Sequence, residues 1–461
     1  MNVERIESFT DNDLNVTVKN LTVYESGNNA LVYEESGHIL IIDRELSSLL
    51  KEGRIPLEIK KAMESRCFFR NTGHKNTNIC KDAKPEFFMV DLTNKCNMRC
   101  KYCLRDIDDH GQSVNQEVLD DICSYIEKYC DASGIPDVSV QAWGGEPLIE
   151  LQSIIRMKHQ IKPKKTKVHF SVETNGILLT KSVTEQLFEN KIGIGVSIDG
   201  TEKEHDAQRR FANGGKTFQI VKKNLQYALS VYGTRLGIIT TITKLNYLNV
   251  EDMLEFYATD LGVKNVKMNF VHKSSFVQND YLCLSKDEIA NTELRILNKI
   301  VELGRRGYEI IENNINIKLK NLLFKAYSDV CLSRGCCGGY KMVVFDMKGN
   351  YYPCELTDSP AEMMGSIYDG DANLVSTINH VARHHHFFRE KKDEKCTNCP
   401  WYCYCKGGCT VRIMNNSDRK MAYDLIECSI NTVLYPALIE LALEEPAVIN
   451  KMLGYEALRI E

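Results

Sequence analysis

Residues 87–103 read FFMVDLTNKCNMRCKYC, and this segment constrains the fold more than any other. Its start, Phe87–Leu92, is a largely apolar run that predicts a short buried strand. Three cysteines follow with the spacing C-x3-C-x2-C, at Cys96, Cys100 and Cys103. If the strand belongs to a parallel sheet, these cysteines lie on the loop at its carboxyl end, where such folds place their chemistry.

Strands and helices alternate after this segment. Strands are predicted at 138–142, 168–172, 192–198, 236–242 and 266–270, and helices at 115–130, 148–159, 181–190, 217–231 and 248–259. With the first strand there are six strands in alternation with these helices, and such alternation is typical of a parallel sheet with right-handed crossovers. Because six units are too few to close an eight-stranded barrel, we predict an α/β fold with a partial (β/α)6 TIM-like barrel over residues 86–284.

Smaller units flank the predicted barrel. In residues 1–85, two strand-like runs at 30–33 and 38–42 are joined by a turn and followed by helical spacing at 44–51 and 56–67. The predicted units after the barrel are a helical connector at 285–330, a cysteine-rich domain at 331–428 and a closing helix within 429–461. The cysteine-rich domain has weak periodicity, so something other than a large apolar core must hold it together.

Composition limits the class of protein. The chain has 461 residues, enough for two or three domains, with 43% hydrophobic residues and a formal charge of -4, as in soluble globular proteins. Because there is no basic excess, we expect no nucleic-acid partner. No signal peptide or long apolar stretch is evident, so we expect a cytoplasmic protein without a membrane partner. In a reducing cytoplasm, 18 cysteines indicate metal or redox chemistry rather than disulfides.

The cysteines are unevenly distributed. Thirteen of the 18 fall in three groups, namely the loop after the first barrel strand and the segments 331–354 and 396–428. The other five are single, and we predict that they pack as small apolar side chains: Cys67, Cys80, Cys123, Cys130 and Cys283.

Three thiolates on one short loop can hold three irons of a cubane cluster, which leaves the fourth iron open to a cofactor or substrate. The alternative is a zinc site. Zinc knuckles prefer C-x2-C pairs with a second pair downstream, and no such pair is near this loop. The spacing therefore favours an iron–sulfur cluster.

This loop resembles the signature of the radical S-adenosylmethionine (SAM) superfamily, in which an aromatic residue, here Tyr102, precedes the last cysteine. The resemblance implies that the open iron chelates the amino and carboxylate groups of SAM. One electron then cleaves the sulfonium to a 5′-deoxyadenosyl radical, which abstracts a hydrogen atom from the substrate. The cofactors carry this chemistry, while the protein binds, orients and excludes water.

Further superfamily motifs follow in order. WGGEP at 143–147, ETNG at 173–176 and SIDG at 197–200 each end a predicted strand, and HDxxR follows at 205–209. The resemblance implies that these segments surround SAM, with GGEP at its ammonium group and the arginine at its carboxylate. The residues assigned to the cofactor are Gly144, Gly145, Glu146, Glu173, Asn175, Ser197, Asp199 and Arg209.

The later cysteines resemble the SPASM extension of radical SAM enzymes that modify peptides and proteins. The pattern is C-x11-G-x4-C from Cys337, followed by C-x2-C-x5-C-x3-C-x18-C from Cys396. The resemblance implies two auxiliary [4Fe–4S] clusters, and therefore three clusters in all. It assigns the first auxiliary cluster to Cys331, Cys337, Cys354 and Cys409, and the second to Cys396, Cys399, Cys405 and Cys428. Such interleaved ligands would staple the domain into one unit.

Two cysteines of this domain, Cys336 and Cys403, are additional to the pattern. Cys336 could replace Cys331 or Cys337 as a ligand, so the first auxiliary cluster could have three or four protein ligands. The alternative is that both additional cysteines are bystanders.

Two polar features of this domain have open interpretations. Glu355 directly follows Cys354, and in sulfatase-maturing relatives an acid at that position is a candidate general base; otherwise it lies on a polar turn. Residues 384–386 are three histidines, but consecutive residues of a helix point about 100° apart, which favours a solvated face over a shared metal.

Residues 1–85 resemble the RiPP recognition element, a small winged-helix fold that binds the leader of a ribosomal precursor peptide by strand addition. A plain structural cap is the alternative. Together the resemblances imply a peptide maturase that forms thioether links from cysteine sulfur to carbon, of the sactipeptide or ranthipeptide type. A flavodoxin or ferredoxin-type protein would donate the electrons.

Three other functions stay open. Two are enzymatic, namely carbon–carbon cross-linking of a peptide and formylglycine formation in a sulfatase. The third is a zinc-stabilised peptide-binding scaffold without catalysis. Metal content separates the last from the others, because three cubane clusters need about twelve irons per chain.

Overall fold

The computed structural model describes residues 1–457 except 8, 12–13, 15, 19, 36, 66–67, 69–83, 106, 108–109, 274–278, 327–328, 330, 332–334, 357–361, 370–393 and 416–422. Two sequence predictions therefore lie outside the described residues. They are the packing of Cys67 and Cys80 and the solvated face at 384–386.

The N-terminal unit is built from antiparallel strands and two helices. The strands are β1 (Asn2–Ile6), β2 (Phe9–Asp11), β3 (Val16–Val18), β4 (Leu21–Ser26), β5 (Asn29–Glu34) and β6 (His38–Asp43), and the helices are α1 (Arg44–Lys51) and α2 (Leu57–Ser65). Four strands form a sheet in the order β1-β4-β5-β6, while β2 and β3 form a separate hairpin. The two strands expected from the sequence are β5 and β6, paired from Asn29–Asp43 to Glu34–His38.

The barrel follows as strands and helices in alternation. Its elements are β7 (Phe87–Asp91), α3 (Gln116–Ser133), β8 (Asp137–Trp143), α4 (Leu151–Gln160), β9 (Lys167–Thr174), α5 (Lys181–Glu189), β10 (Ile192–Ser197), α6 (Glu202–Gln208), α7 (Phe218–Tyr232), β11 (Gly237–Ile242), α8 (Val250–Thr259) and β12 (Asn265–Phe270). The six strands pair in chain order, and every neighbouring pair is parallel. The prediction of an α/β fold with a partial barrel is confirmed.

Local sequence explains where the barrel helices begin and end. Helix α3 starts because the Asn115 side chain accepts a hydrogen bond from Glu117 N, and it ends at Gly134, whose φ of 67° suits glycine. Its apolar face, including Leu119, Ile122 and Ile126, is fully buried against the sheet. Because the six strands are parallel, their carboxyl ends lie on the same side of the barrel.

The remainder of the chain closes both edges of the barrel. Its elements are α9 (Lys286–Arg305), β13 (Ile311–Glu312), α10 (Asn313–Phe324), β14 (Met342–Phe345), β15 (Asn350–Tyr352), β16 (Gly365–Ser366), α11 (Glu394–Thr397), α12 (Tyr402–Cys405), α13 (Thr410–Met414), α14 (Leu425–Glu444) and α15 (Pro446–Leu453). Strand β13 pairs with β12 and strand β14 with β7, both in parallel. The connector is therefore helical in two parts, since a strand interrupts it.

The long helix α14 ties the ends of the molecule together. It packs on α9 and on strands β4 and β5 of the N-terminal sheet. Among the described helices it is the one long and apolar enough to cross a membrane, but 56% of that apolar window is buried within the protein. Its apolar character is accounted for by its packing as a core helix.

Candidate functional site

A cavity of about 470 Å³ opens at the carboxyl ends of the barrel strands. The loop after β7 and the ends of β8, β9, β10, β11 and β12 line one side, while α9, α10 and the cysteine-rich domain line the other. Of the residues assigned from the sequence, the cavity brings together Cys96, Cys100, Cys103, Gly144, Gly145, Glu146, Glu173, Asn175, Ser197, Arg209, Cys331, Glu355 and Cys409.

The three cysteines of the loop after β7 line the cavity and are half-buried. Met98 N donates to the Cys96 sulfur at 3.4 Å, and Asn175 Nδ2 approaches the same sulfur at 3.7 Å. Burial raises the pKa of the Cys100 thiol to about 12 and also raises that of Cys96. Thiols that are buried in this way ionise only beside a strong positive charge, such as that of a bound metal.

Glycine allows the end of β8 to pack directly on this cysteine loop. A Cβ on Gly144 would come within 2.4 Å of Thr93 O, and one on Gly145 within 2.2 Å of Lys95 O. Gly145 N donates to Thr93 O at 2.7 Å, and Glu146 N donates to Lys95 O at 2.9 Å. Backbone hydrogen bonds therefore fix the position of the cysteine loop.

The Glu146 carboxylate is buried and accepts three hydrogen bonds from protein groups. It accepts hydrogen bonds from Thr174 Oγ1 at 2.7 Å, Asn175 N at 2.8 Å and Leu148 N at 3.0 Å. Burial raises its pKa, while these hydrogen bonds act in the opposite direction. Its side chain thus joins the ends of β8 and β9, and the contact of this segment with an ammonium group stays a prediction.

Arg209 lies in a buried polar network beneath the cysteine loop. Its guanidinium donates to the Tyr102 hydroxyl, which donates to Asp199 Oδ2 at 2.7 Å. Asp199 also accepts from Gln208 Nε2 at 2.7 Å and Thr241 N at 2.9 Å. The Nε of Arg209 is buried without a hydrogen-bond partner among the described residues.

Asp199 does not line the cavity, unlike the other residues assigned to the cofactor. Its side chain is fully buried behind Tyr102 and accepts hydrogen bonds from Tyr102, Gln208 and Thr241. The SIDG turn directs this carboxylate inward to hold Tyr102, and the assignment of Asp199 to the cofactor stays a prediction.

The first two residues of the HDxxR motif hold helix α6 in place. His205 Nδ1 accepts from Asp199 N at 3.3 Å, and burial holds its pKa well below the ordinary value. Asp206 Oδ1 accepts from Thr217 N and Phe218 N, each at 3.0 Å. These contacts fix the backbone that presents Arg209.

Across the cavity lies a group of charged side chains. Lys267 projects from β12 among Glu173, Glu355 and Cys331, and these acidic groups counteract the effect of burial on its pKa. Burial raises the pKa of both carboxyls. Glu355 Oε2 is buried without a hydrogen-bond partner among the described residues.

The cysteine-rich domain contains a first group of neighbouring thiols. Cys354 and Cys409 are buried and Cys331 is half-buried. Burial raises the pKa of all three, to about 11 for Cys409. The charge of the neighbouring Cys336 further raises the pKa of each of these three thiols. Cys337 Sγ instead contacts Gly335 O at 3.5 Å. Cys336 is thus a ligand candidate alongside the predicted Cys337.

A second group of thiols contains Cys399, Cys405 and Cys428. Burial raises the pKa of Cys399 and Cys405, and the charges of Cys428 and Cys399, respectively, raise them further. Cys399 N donates to Cys396 O at 3.3 Å. In the described part of the chain, no three His, Cys, Asp or Glu side chains are arranged to bind a single metal ion.

The other described cysteines lie away from these groups. Cys403 is buried, and its sulfur lies 3.0 Å from the Tyr33 hydroxyl of the N-terminal unit. Cys123 and Cys130 belong to the apolar core along α3, and Cys283 is half-buried. The buried positions of Cys123 and Cys130 agree with the packing role expected from the sequence.

Sequence reasoning missed several cavity residues. Lys267 and Arg412 carry positive charge into the cavity, and Tyr404 and Tyr435 form a stacked pair with ring centroids 4.8 Å apart. The sequence contained one signal for Arg412. This residue follows Cys409 by three positions and therefore lies on the helical turn that begins at that cysteine. The aromatic pair had no comparable signal, because Tyr404 and Tyr435 are far apart in the sequence.

Comparisons with known proteins bear directly on this site. Residues 90–259 match the radical SAM superfamily. The chain is 23% identical to a cysteine-type anaerobic sulfatase-maturating enzyme of Clostridium perfringens strain 13, over 68% of this chain and 85% of that protein. It is 24% identical to the radical SAM cyclopropyl synthase TigE of Paramaledivibacter caminithermalis, over 76% of this chain and 73% of that protein.

Two solved structures have a similar fold. One is native anSMEcpe with bound AdoMet and the Kp18Cys peptide, with a TM-score of 0.67, 22% identity, and coverage of 78% of this chain and 99% of that one. The other is Streptococcus suis SuiB bound to S-adenosylmethionine, with a TM-score of 0.52, 16% identity, and coverage of 91% and 99%. The resemblance read from the cysteine loop is confirmed: the chain contains a radical SAM domain.

Proposed function

We propose that this radical SAM protein is a peptide maturase that installs thioether links, from cysteine sulfur to carbon, in a ribosomally made precursor peptide. The observation that carries the proposal is a single cavity shared by two chemical centres. Cys96, Cys100 and Cys103 line one end, while Cys331, Cys409 and Glu355 line the other. A peptide segment in this cavity would meet both centres at once.

The residues present fit the implied cofactors. Three cavity-facing thiols suit a [4Fe–4S] cluster with one open iron, and the two groups in the cysteine-rich domain suit two auxiliary [4Fe–4S] clusters. The unpartnered Arg209 Nε is a free donor for a carboxylate such as that of SAM. When bound, SAM and the first cluster supply a 5′-deoxyadenosyl radical, and the auxiliary clusters supply an electron acceptor.

The chain's own residues then position the substrate and move one proton. Formation of a thioether removes a hydrogen atom from carbon, a proton from the thiol and one electron. Glu355 is the candidate acceptor of that proton, because it lies in the cavity and its Oε2 has no other described partner. Lys267, beside Glu355, favours the anionic forms of both the carboxylate and the substrate thiol.

Glu355→Gln tests the assignment of the base. The variant should still cleave SAM, because Gly144, Gly145 and Arg209 are untouched, but the yield of cross-linked peptide per SAM cleaved should fall at least about tenfold. Glu293→Gln is the matched control, since Glu293 is also a buried carboxyl that lines the cavity. If both variants retain wild-type coupling between SAM cleavage and product, Glu355 is not the base.

The N-terminal unit suits leader binding. In its sheet order, β6 is an edge strand, so one side of its backbone can pair with an added strand. Helix α2 packs beside β6 and exposes 70% of Leu57, which offers an apolar contact next to that edge. The leader would bind there in the cytoplasm, and a flavodoxin or ferredoxin-type protein would supply electrons.

The reaction is tested with the reduced enzyme, SAM and a cysteine-rich precursor peptide under anaerobic conditions. We expect 5′-deoxyadenosine together with a peptide lighter by two hydrogens per link. The linked cysteines of this peptide should no longer react with a thiol-alkylating reagent. Active SAM cleavage with an unchanged peptide mass would refute cross-linking of that peptide. A peptide lighter by two hydrogens with all thiols still alkylatable would instead indicate a carbon–carbon link.

Formylglycine formation is the second candidate, favoured by the resemblance to a sulfatase-maturating enzyme over 85% of its length. The two reactions differ in their products. Formylglycine made from cysteine loses its sulfur as sulfide and reacts with aldehyde reagents, whereas a thioether keeps the sulfur and does not. Fragmentation of the product peptide therefore separates them.

A further inference from the structure

Arg412 occupies a buried position between the two thiol groups of the cysteine-rich domain. It belongs to α13, which begins directly after Cys409, and its side chain is only 18% exposed. The guanidinium donates to Asp424 Oδ2 at 2.6 Å and lies 4.0 Å from Glu427 Oε2. Glu427 is the neighbour of Cys428 in the chain, so this ion-pair network reaches both groups.

Asp424 connects the same elements. Its Oδ2 accepts from Cys409 N at 3.0 Å, and its Oδ1 accepts from Ile426 N at 3.1 Å and so caps α14. The approach is close, since a Cβ on Gly408 would fall within 2.4 Å of Asp424 Cβ. The Arg412–Asp424 pair is therefore held rigidly against the backbone of Cys409.

The guanidinium keeps an unused donor in this position. Arg412 Nε is buried and has no hydrogen-bond partner among the described residues. Asp424 Oδ2 contacts both the Cys409 backbone nitrogen and the guanidinium, so the cation lies beside Cys409. Its charge acts against the effect of burial, which raises the pKa of the Cys409 thiol. Glu427 is already paired with Lys318, which leaves Asp424 as the main counter-ion of Arg412.

A permanent cation beside an iron–sulfur cluster favours the state with one more electron. Arginine stays protonated at any working pH. The reduction potential of such a cluster depends on the net charge and hydrogen bonds around it. Because the added electron makes the cluster more negative, a nearby guanidinium stabilises the reduced form and raises the potential.

We propose that Arg412 tunes the first auxiliary cluster toward accepting the electron that the oxidised substrate releases, through its charge beside Cys409 and its free Nε donor. This role rests on the proposed function, which assigns a [4Fe–4S] cluster to Cys331, Cys354, Cys409 and one of Cys336 or Cys337. The step is a one-electron reduction of the oxidised cluster without proton transfer. Asp424 limits the rise in the reduction potential of the cluster by partly neutralising the guanidinium.

The test is a redox titration of the auxiliary clusters followed by electron paramagnetic resonance. It uses the full-length chain with the three cysteines of the loop after β7 replaced by alanine, so that only auxiliary signals remain. In this background Arg412→Met should lower the ratio of reduced to oxidised first auxiliary cluster about tenfold at a fixed potential, a shift of about 59 mV for one electron. Arg412→Lys keeps the charge and should stay within about threefold of the parent.

The counter-ion supplies an independent test. Asp424→Asn should raise the potential, and it preserves the helix cap because asparagine also caps helices well. The double variant Arg412→Met with Asp424→Asn should return toward the parent value, which loss of structure would not do. If Arg412→Met fails to bind iron, the reduction potential of Asp424→Asn still tests the proposal, which predicts that this potential rises.

The outcomes distinguish a failure of the role proposed for Arg412 from a failure of the proposed function. Bound iron with unchanged potentials in both single variants, or equal shifts in Arg412→Met and Arg412→Lys, would overturn the role of Arg412 alone. An absence of iron from the parent background would contradict the proposed function, and the inference would fall with it.

Discussion

Tyr102→Phe is a sharp test of how the protein holds the SAM-binding end of the cavity. The substitution removes only the hydroxyl, which donates to Asp199 at 2.7 Å and accepts a hydrogen bond from Arg209. Both partners are buried, with 0% and 5% exposure, so water cannot readily replace the lost group. Arg209 already has an unpartnered Nε and would lose the contact that fixes its orientation.

The expected magnitude follows from the loss of hydrogen bonds to buried charged groups. Leaving such a group unsatisfied costs about 1–3 kcal/mol. If that cost appears in the positioning of Arg209, SAM binding should weaken by about 5- to 140-fold, since 1.4 kcal/mol corresponds to a factor of ten. Equilibrium binding of SAM to the iron-loaded enzyme measures this directly.

Tyr232→Phe is the matched control. Its hydroxyl is also buried and donates to Ile192 O at 2.8 Å, at the start of β10 and away from the cavity. Both variants should lose comparable unfolding free energy, but only Tyr102→Phe should lose SAM affinity. If Tyr102→Phe keeps its full iron content and binds SAM within about twofold of the wild type, the Tyr102–Arg209 contact does not organise the site.

Three further predictions address the cluster loop and a buried acid. Replacing all three cysteines of the loop after β7 with alanine should abolish SAM cleavage yet leave about eight irons per chain; retained cleavage would contradict the role of this loop. Gly145→Ala should reduce iron loading of that loop, because its Cβ would lie within 2.2 Å of Lys95 O, whereas Gly304→Ala, with open space around it, should not; equal loading in both would argue against close packing. Burial raises the pKa of Glu293 to about 8. Between about pH 4.5 and 8 its carboxyl therefore stays protonated in the folded protein but ionises in the unfolded chain. The free energy of unfolding should fall over this range by up to about 1.4 kcal/mol per pH unit. Glu293→Gln should remove that slope in urea unfolding, and an unchanged slope would assign it to other groups.

The barrel was predictable because its pattern is local. Apolar strands such as Phe87–Leu92 alternate with helices at short spacing, and each predicted strand lies within one or two residues of its observed bounds. Strands β13 and β14 were not foreseen. The first has two residues, and both exist only through pairing with distant strands, which local pattern does not encode.

The site was partly predictable for a similar reason. Motifs at strand ends meet at one edge, so Gly145, Glu173 and Arg209 line the same cavity as the cysteine loop, while their assignment to the cofactor stays a prediction. Spacing could not decide between Cys336 and Cys337, which are adjacent, or show that Asp199 turns inward to Tyr102. Those outcomes depend on side-chain direction, which tertiary packing sets.

The ionisable residues around the cavity show the same limit. Lys267 lies on a strand in which polar and apolar residues alternate, a pattern that fits a solvent-facing side chain equally well. Only the closure of the cavity by the cysteine-rich domain places it beside Glu355 and Cys331. Its role could therefore be inferred only once the distant segments had been brought together.

The most direct test of the central claim is the transfer of deuterium from substrate to cofactor. The reduced enzyme is incubated with SAM and a precursor peptide that carries deuterium at carbon, and the 5′-deoxyadenosine is analysed by mass spectrometry. We predict deuterium in 5′-deoxyadenosine together with a peptide that has lost deuterium at carbon. Rapid formation of 5′-deoxyadenosine without deuterium, from a peptide labelled at every carbon position, would contradict it.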